Sequence, residues 1–185
     1  AENSAFGSGA LVNNTTGSYS VGLGRYALAL NTTANYSTAV GYQAGYSGTT
    51  ASDYNSFLGY NAGLANTSAA NTGVGALVMD ANTSGYYNAA FGAEALGGNT
   101  SGISNTAIGA YSLQNNTTAS SNVAVGYRAG YSKTTGNYNT FVGTDSGYAI
   151  TTGSNNTILG VYNGNQNGLD IRTSSNNIVL SDGDG

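Results

Sequence analysis

Asn105-Thr106-Ala107-Ile108-Gly109, Asn122-Val123-Ala124-Val125-Gly126 and Asn139-Thr140-Phe141-Val142-Gly143 are one pattern met three times at equal spacing. Followed outward, the glycine recurs at Gly7, Gly24, Gly41, Gly59, Gly75, Gly92, Gly109, Gly126, Gly143 and Gly160. A period of about 17 residues, held this regularly, settles architecture before chemistry: the chain is a stack of short similar units. A unit of this length is too short for a helix pair. Its Gly-, Asn-, Ser-, Thr- and Tyr-rich composition, with no proline, fits one coil of a β-solenoid. The expected fold is therefore all-β, a β-solenoid (parallel β-helix or β-roll) of about ten coils, each with two or three short strands. At a strand spacing of about 4.8 Å the rod is roughly 48 Å long.

Each column of the repeat suggests a role. Before the glycine stand Phe6, Leu23, Val40, Leu58, Val74, Phe91, Ile108, Val125, Val142 and Leu159, an apolar column expected to face a core. The inward residues are expected to be mostly Ala, Val and Ile. Four before the glycine stand Asn3, Asn55, Asn71, Asn88, Asn105, Asn122, Asn139 and Asn156, with Ser20 and Ser37 completing the column. Asparagine tolerates left-handed backbone, and stacked amides can bond from coil to coil. The glycines, among them Gly41, Gly92, Gly109, Gly126 and Gly143, are expected to supply a turn or a close backbone approach.

Eight after the glycine stand Thr15, Thr32, Thr49, Thr67, Thr83, Thr100, Thr117, Thr134 and Thr151. Their expected role is a hydroxyl ladder that satisfies backbone groups. Two other readings attach to this column: O-glycosylation of exposed hydroxyls, and ice binding. Ice-binding faces use Thr-x-Thr, whereas here the two hydroxyl residues are adjacent and would point to opposite sides of a strand. Several of these threonines lie in Asn-x-Thr sequons such as Asn14-Thr15-Thr16 and Asn116-Thr117-Thr118. Tyrosines form partial columns, one of them Tyr19, Tyr36, Tyr54, Tyr87 and Tyr138; ring stacking along the rod is their expected use, with sugars or partner chains as the alternative.

Composition excludes several functions. Charged residues are 6% of the chain, and with only four Lys and Arg the surface cannot track nucleic-acid phosphates. There is no His or Cys, so the usual general base and thiol nucleophile are missing; the acids within the repeat, Asp53, Asp80, Glu94 and Asp145, form no recurring pair along a face. No enzymatic activity, metal or cofactor is expected. Gly7-Ser8-Gly9 and Gly22-Leu23-Gly24 lack the lysine and helix of a phosphate loop and read as coil turns. No apolar run approaches membrane-spanning length, so no membrane insertion is expected. The first unit begins almost at Ala1 without an amphipathic cap, which suggests a segment of something longer or a subunit that stacks end to end.

Residues 1–162 are thus expected to form the solenoid repeats and 163–185 an atypical C-terminal coil and loop. Within the latter, 163–175 reads as a turn-rich insertion and Asn176-Asn177-Ile178-Val179-Leu180-Ser181 as one last altered strand. Asp182-Gly183-Asp184-Gly185 has a calcium-loop flavour but lacks a full ligand set and reads as a loop.

The Asn-x-Ala-apolar-Gly unit, as in Asn105-Thr106-Ala107-Ile108-Gly109, resembles the head repeats of trimeric autotransporter adhesins, which form left-handed parallel β-rolls with a shorter repeat. Units such as Asn139-Thr140-Phe141-Val142-Gly143 with Thr-Thr-Gly spacers more closely resemble repeats of bacteriophage tail-fibre structural proteins. Gly168-Leu169-Asp170-Ile171-Arg172 followed by Asn177-Ile178-Val179-Leu180-Ser181 is similar to what precedes the self-cleaving chaperone of such fibres. The resemblance spans nearly the whole chain. It implies an extracellular or virion-surface location, self-association as a homotrimer or end-to-end filament, and a cell-surface glycan or receptor as partner. The function it implies is the shaft of a phage tail fibre involved in host attachment, with a bacterial adhesin or self-assembling filament as the alternative and an ice-binding solenoid further off.

Overall fold

A computed structural model describes residues 2–49 and 52–182. Each coil contributes one three-residue strand: β1 (Ser4–Phe6), β2 (Val21–Leu23), β3 (Thr38–Val40), β4 (Ser56–Leu58), β5 (Thr72–Val74), β6 (Ala89–Phe91), β7 (Thr106–Ile108), β8 (Val123–Val125), β9 (Thr140–Val142) and β10 (Thr157–Leu159). After a two-stranded antiparallel hairpin, β11 (Asn165–Gln166) and β12 (Leu169–Asp170), comes β13 (Ile178–Leu180). The sheet is parallel, eleven strands in the order β1 to β10 and then β13. The all-β solenoid is the fold, and no described residue is helical. The coil differs from expectation in having one strand rather than two or three. The rest is turn, yet its backbone still bonds to the neighbouring coils, as in Leu96 N to Ser112 O and Thr100 N to Thr117 O.

Register follows the glycine spacing. Val21 pairs with Thr38, Thr38 with Ser56 and Ser56 with Thr72, so steps of slightly different length all return to the same place in the sheet. The last step, Thr157 to Ile178, is the longest, because the hairpin is looped out of the coil. Asn167 and Gly168 both have positive φ at its tip, the geometry that an Asn-Gly pair favours in a two-residue turn. Of the calcium-like loop, positions 183–185 lie outside the described residues.

The glycine column explains the repeat. Its φ values run from 107° to 143°, and a Cβ on Gly7 through Gly143 of this column would lie within 3.0 Å of the next coil's glycine backbone. Both the conformation and the contact exclude a side chain. Left-handed backbone is common elsewhere too, but not on the asparagine column. It falls on the residue before, such as Tyr19, Tyr36, Tyr54, Ser104 and Tyr138, and on turn residues such as Leu28, Leu96, Leu113 and Arg128. The asparagines, Asn105 and Asn122 among them, instead serve the amide ladder, and the strain of the neighbouring positions is held by stacking on both sides.

The core is narrow. It is lined by the middle residue of most strands (Ala39, Ala90, Ala107 and Ala124 among them), by the alanine column (Ala27, Ala44, Ala62, Ala95, Ala129) and by Leu11, Leu28, Met79, Leu96 and Leu113. Leucine therefore fills much of the space expected to hold Val and Ile. Size is balanced between columns. Phe57 and Phe141 occupy the mid-strand position where the neighbouring turns carry glycine. A Cβ on Gly63 would meet the Phe57 ring at 2.5 Å, and one on Gly130 or Gly147 would meet Phe141 at 2.7 or 2.5 Å.

Candidate functional site

With strands this short, alternation leaves the middle side chain inside and the two flanking ones outside. The apolar column before the glycine therefore faces outward, not into the core as its apolarity suggested. Phe6, Leu23, Leu58, Phe91, Ile108, Val142, Leu159 and Leu180 are all exposed, Phe91 by 42% and Leu58 by 51%. Beside it runs the other outer column, Thr38, Ser56, Thr72, Ala89, Thr106, Val123, Thr140 and Thr157 in the inner coils. No strand of the parallel sheet carries a charged residue. The result is one uncharged, largely apolar strip along the rod.

Beneath the sheet edge, Asn55, Asn71, Asn88, Asn105, Asn122, Asn139 and Asn156 are buried as one amide ladder. Asn105 is representative. Its Oδ1 accepts from Asn122 N at 3.0 Å and Asn122 Nδ2 at 3.2 Å; its own Nδ2 donates to Asn88 Oδ1 at 3.2 Å and Ala119 O at 2.9 Å. A second ladder, which the sequence reading missed, is formed by Asn66, Asn82, Asn99 and Asn116, joined Nδ2 to Oδ1 at 2.6–2.8 Å. Its signal was the asparagine seven after the glycine in most units. These are sequon asparagines. Buried and hydrogen-bonded, their amides have no room for a glycan.

The threonine column bonds along the rod. The hydroxyls of Thr15, Thr67, Thr83, Thr100, Thr117 and Thr134 donate to the carbonyls of Thr32, Thr83, Thr100, Thr117, Thr134 and Thr151 at 2.8–3.3 Å, and Thr151 donates to Arg172 O. Thr49 instead offers its backbone N–H to Ser52 Oγ, beside the irregular step of the repeat.

The second ladder ends at Lys133, which stands where asparagine would follow Asn116. It is fully buried, and Nζ donates to Thr151 O at 3.3 Å and to Gly153 O. No acid pairs with it among the described residues, and burial lowers its pKa to about 8. Asn116 Oδ1, which the next asparagine would have engaged, is left buried without a partner.

The tyrosines stack in the expected manner in places. Tyr19, Tyr36 and Tyr54 are parallel at 5.2 and 5.1 Å between ring centres, and Tyr42–Tyr60 and Tyr131–Tyr148 stack at 5.6 and 5.1 Å. Among the described residues there are two ion pairs, Arg172–Asp170, next to the hairpin, and Arg128–Asp145, which joins two coils. Burial, then the charge of Glu94, raises the Asp80 carboxyl above its usual range, while Glu94 accepts from Gln114 Nε2 at 3.0 Å. No three acids among the described residues converge as metal ligands.

No protein-family model, curated protein or solved structure matches this chain.

Proposed function

We propose that this chain is a rigid β-solenoid shaft of an extracellular fibre, with copies packed side by side through the outer sheet face. The observation that carries the reading is the uncharged apolar strip. Eleven strands at about 4.8 Å, each about 10 Å long, give it roughly 500 Å², near the upper end of what monomeric proteins leave in water. The unbranched rod supplies length and stiffness, and the strip supplies cohesion. Resemblance of the repeats to tail-fibre proteins favours a phage tail fibre involved in host attachment, assembled as a homotrimer. A bacterial adhesin or self-assembling filament is the second reading, favoured by the unbroken run of the strip over every strand of the sheet.

Sedimentation equilibrium of the wild type and of the triple variant Phe91→Lys, Ile108→Lys, Val125→Lys tests the packing. The expected result is a trimeric wild type and a monomeric variant with the same circular dichroism. A wild type that stays monomeric at every concentration refutes it. Electron microscopy of native material separates the settings: rods attached to virions fit the tail fibre, and long free filaments fit the second reading.

A further inference from the structure

Outside the strands, three successive coils bring together a group of side chains that the fibre reading does not use. Arg128 lies between two rings, its guanidinium carbon 4.9 Å from the centre of Tyr127 and 5.0 Å from that of Tyr148. Asp145, one coil on, fixes it with two hydrogen bonds of 2.8 Å, from Nε and Nη2. The side chains of this ion pair remain about one-third exposed. Tyr111 meets Tyr127 edge to face at 6.0 Å, and Tyr131 stacks on Tyr148. Together Tyr111, Tyr127, Arg128, Tyr131 and Tyr148 line an open hollow of about 230 Å³. The other cation–π contact, Arg25 over Tyr26, has one ring and no acidic partner among the described residues.

We propose that this hollow is a binding site for a neutral sugar ring of a glycan. The chemistry fits on three counts. Tyrosine faces offer the apolar, electron-rich surface on which the C–H side of a pyranose packs. A guanidinium and a carboxylate joined by paired bonds offer donors and acceptors to neighbouring hydroxyls, and the guanidinium is already oriented, so little ordering is needed on binding. The ion pair is electrically neutral overall, which favours an uncharged ligand over an anion. An open hollow rather than a deep pocket suits one residue of a longer glycan chain. None of its lining residues lies in a strand of the parallel sheet.

The test is saturation-transfer NMR and titration of the whole chain with triacetylchitotriose, maltotriose, lactose and, as the anionic probe, sialyllactose. At least one neutral probe is expected to bind saturably in the millimolar range. Its affinity is expected to fall by about tenfold or more in Tyr127→Ala and in Asp145→Asn, and to be unchanged in Tyr54→Ala, which alters a different tyrosine stack. Tyr127 is 46% exposed, so its loss leaves the core intact, and circular dichroism verifies this. Absence of binding by all three neutral probes overturns the proposal. So does binding that survives Tyr127→Ala, or binding of sialyllactose alone.

Discussion

Replacing Lys133 by asparagine should stabilise the rod at neutral pH and abolish part of its pH dependence. An unfolded lysine titrates near 10.4, whereas the buried Lys133 titrates at about 8. Below pH 8 both states are protonated, and the folded state bears the full cost of a buried charge, about 3 kcal/mol. Between pH 8 and about 10.4 the unfolded chain holds the proton and the folded chain does not, so wild-type stability rises with pH across that window. Asparagine at this position carries no charge and can engage the orphaned Asn116 Oδ1. The carbonyls that Lys133 contacts keep other donors: Thr151 O retains Thr134 N and Oγ1, and Gly153 O retains Asn139 Nδ2. The shorter side chain leaves a void costing about 1 kcal/mol. The net gain at pH 7 is therefore about 2 kcal/mol, and above pH 10.4 the variant is no more stable than wild type. Urea denaturation of both proteins from pH 6 to 11 measures this, and the difference between them cancels the titration of the tyrosines. A variant less stable than wild type at pH 7, or a difference that does not change with pH, would refute the reasoning.

Gly109→Ala should lower stability by more than about 3 kcal/mol, since it forces alanine to a φ of 123° with Cβ 2.5 Å from Gly126 O; thermal melting by circular dichroism reads it. Phe141→Ala, which empties the space between Gly130 and Gly147, should cost about 3–5 kcal/mol in urea denaturation. Asn105→Asp should destabilise more than Asn105→Ser, because a carboxylate cannot donate to Ala119 O and brings a buried charge; the order of their urea midpoints checks this. Expressed in a host that glycosylates Asn-x-Ser and Asn-x-Thr, the folded chain should carry no glycan on Asn82, Asn99 or Asn116, and mass spectrometry of the peptides reads the occupancy.

The repeat made the solenoid legible, because a glycine that must sit at positive φ against another glycine cannot drift in sequence without breaking the stack. The direction of the apolar column was not legible. Val125 and Ala124 are both apolar, and only the placement of a three-residue strand decides which is inside. Nor were most of the left-handed positions, because they fall largely on Tyr and Leu, residues without a preference for that geometry. Arg128 and Asp145 share a column in the sequence, each two after its glycine, but the two tyrosine rings flanking Arg128 come from different columns, and only the structure brings them to it. The second asparagine ladder shows as a column in the sequence, but Lys133, Gly48 and Ile150 interrupt it, whereas the threonine beside it runs unbroken.

The bulky rings at Phe57 and Phe141 have a consequence for assembly. Coils so alike in backbone could stack out of order, one unit early or late, with every main-chain bond still made. A shift of one unit at Phe141 would set the ring against a coil that carries Leu113 rather than Gly130 at the facing turn, where there is no space for it. Each phenylalanine with its glycine-bearing turns thus gives its coils a fixed address, and a chain of near-synonymous units can fold in only one order.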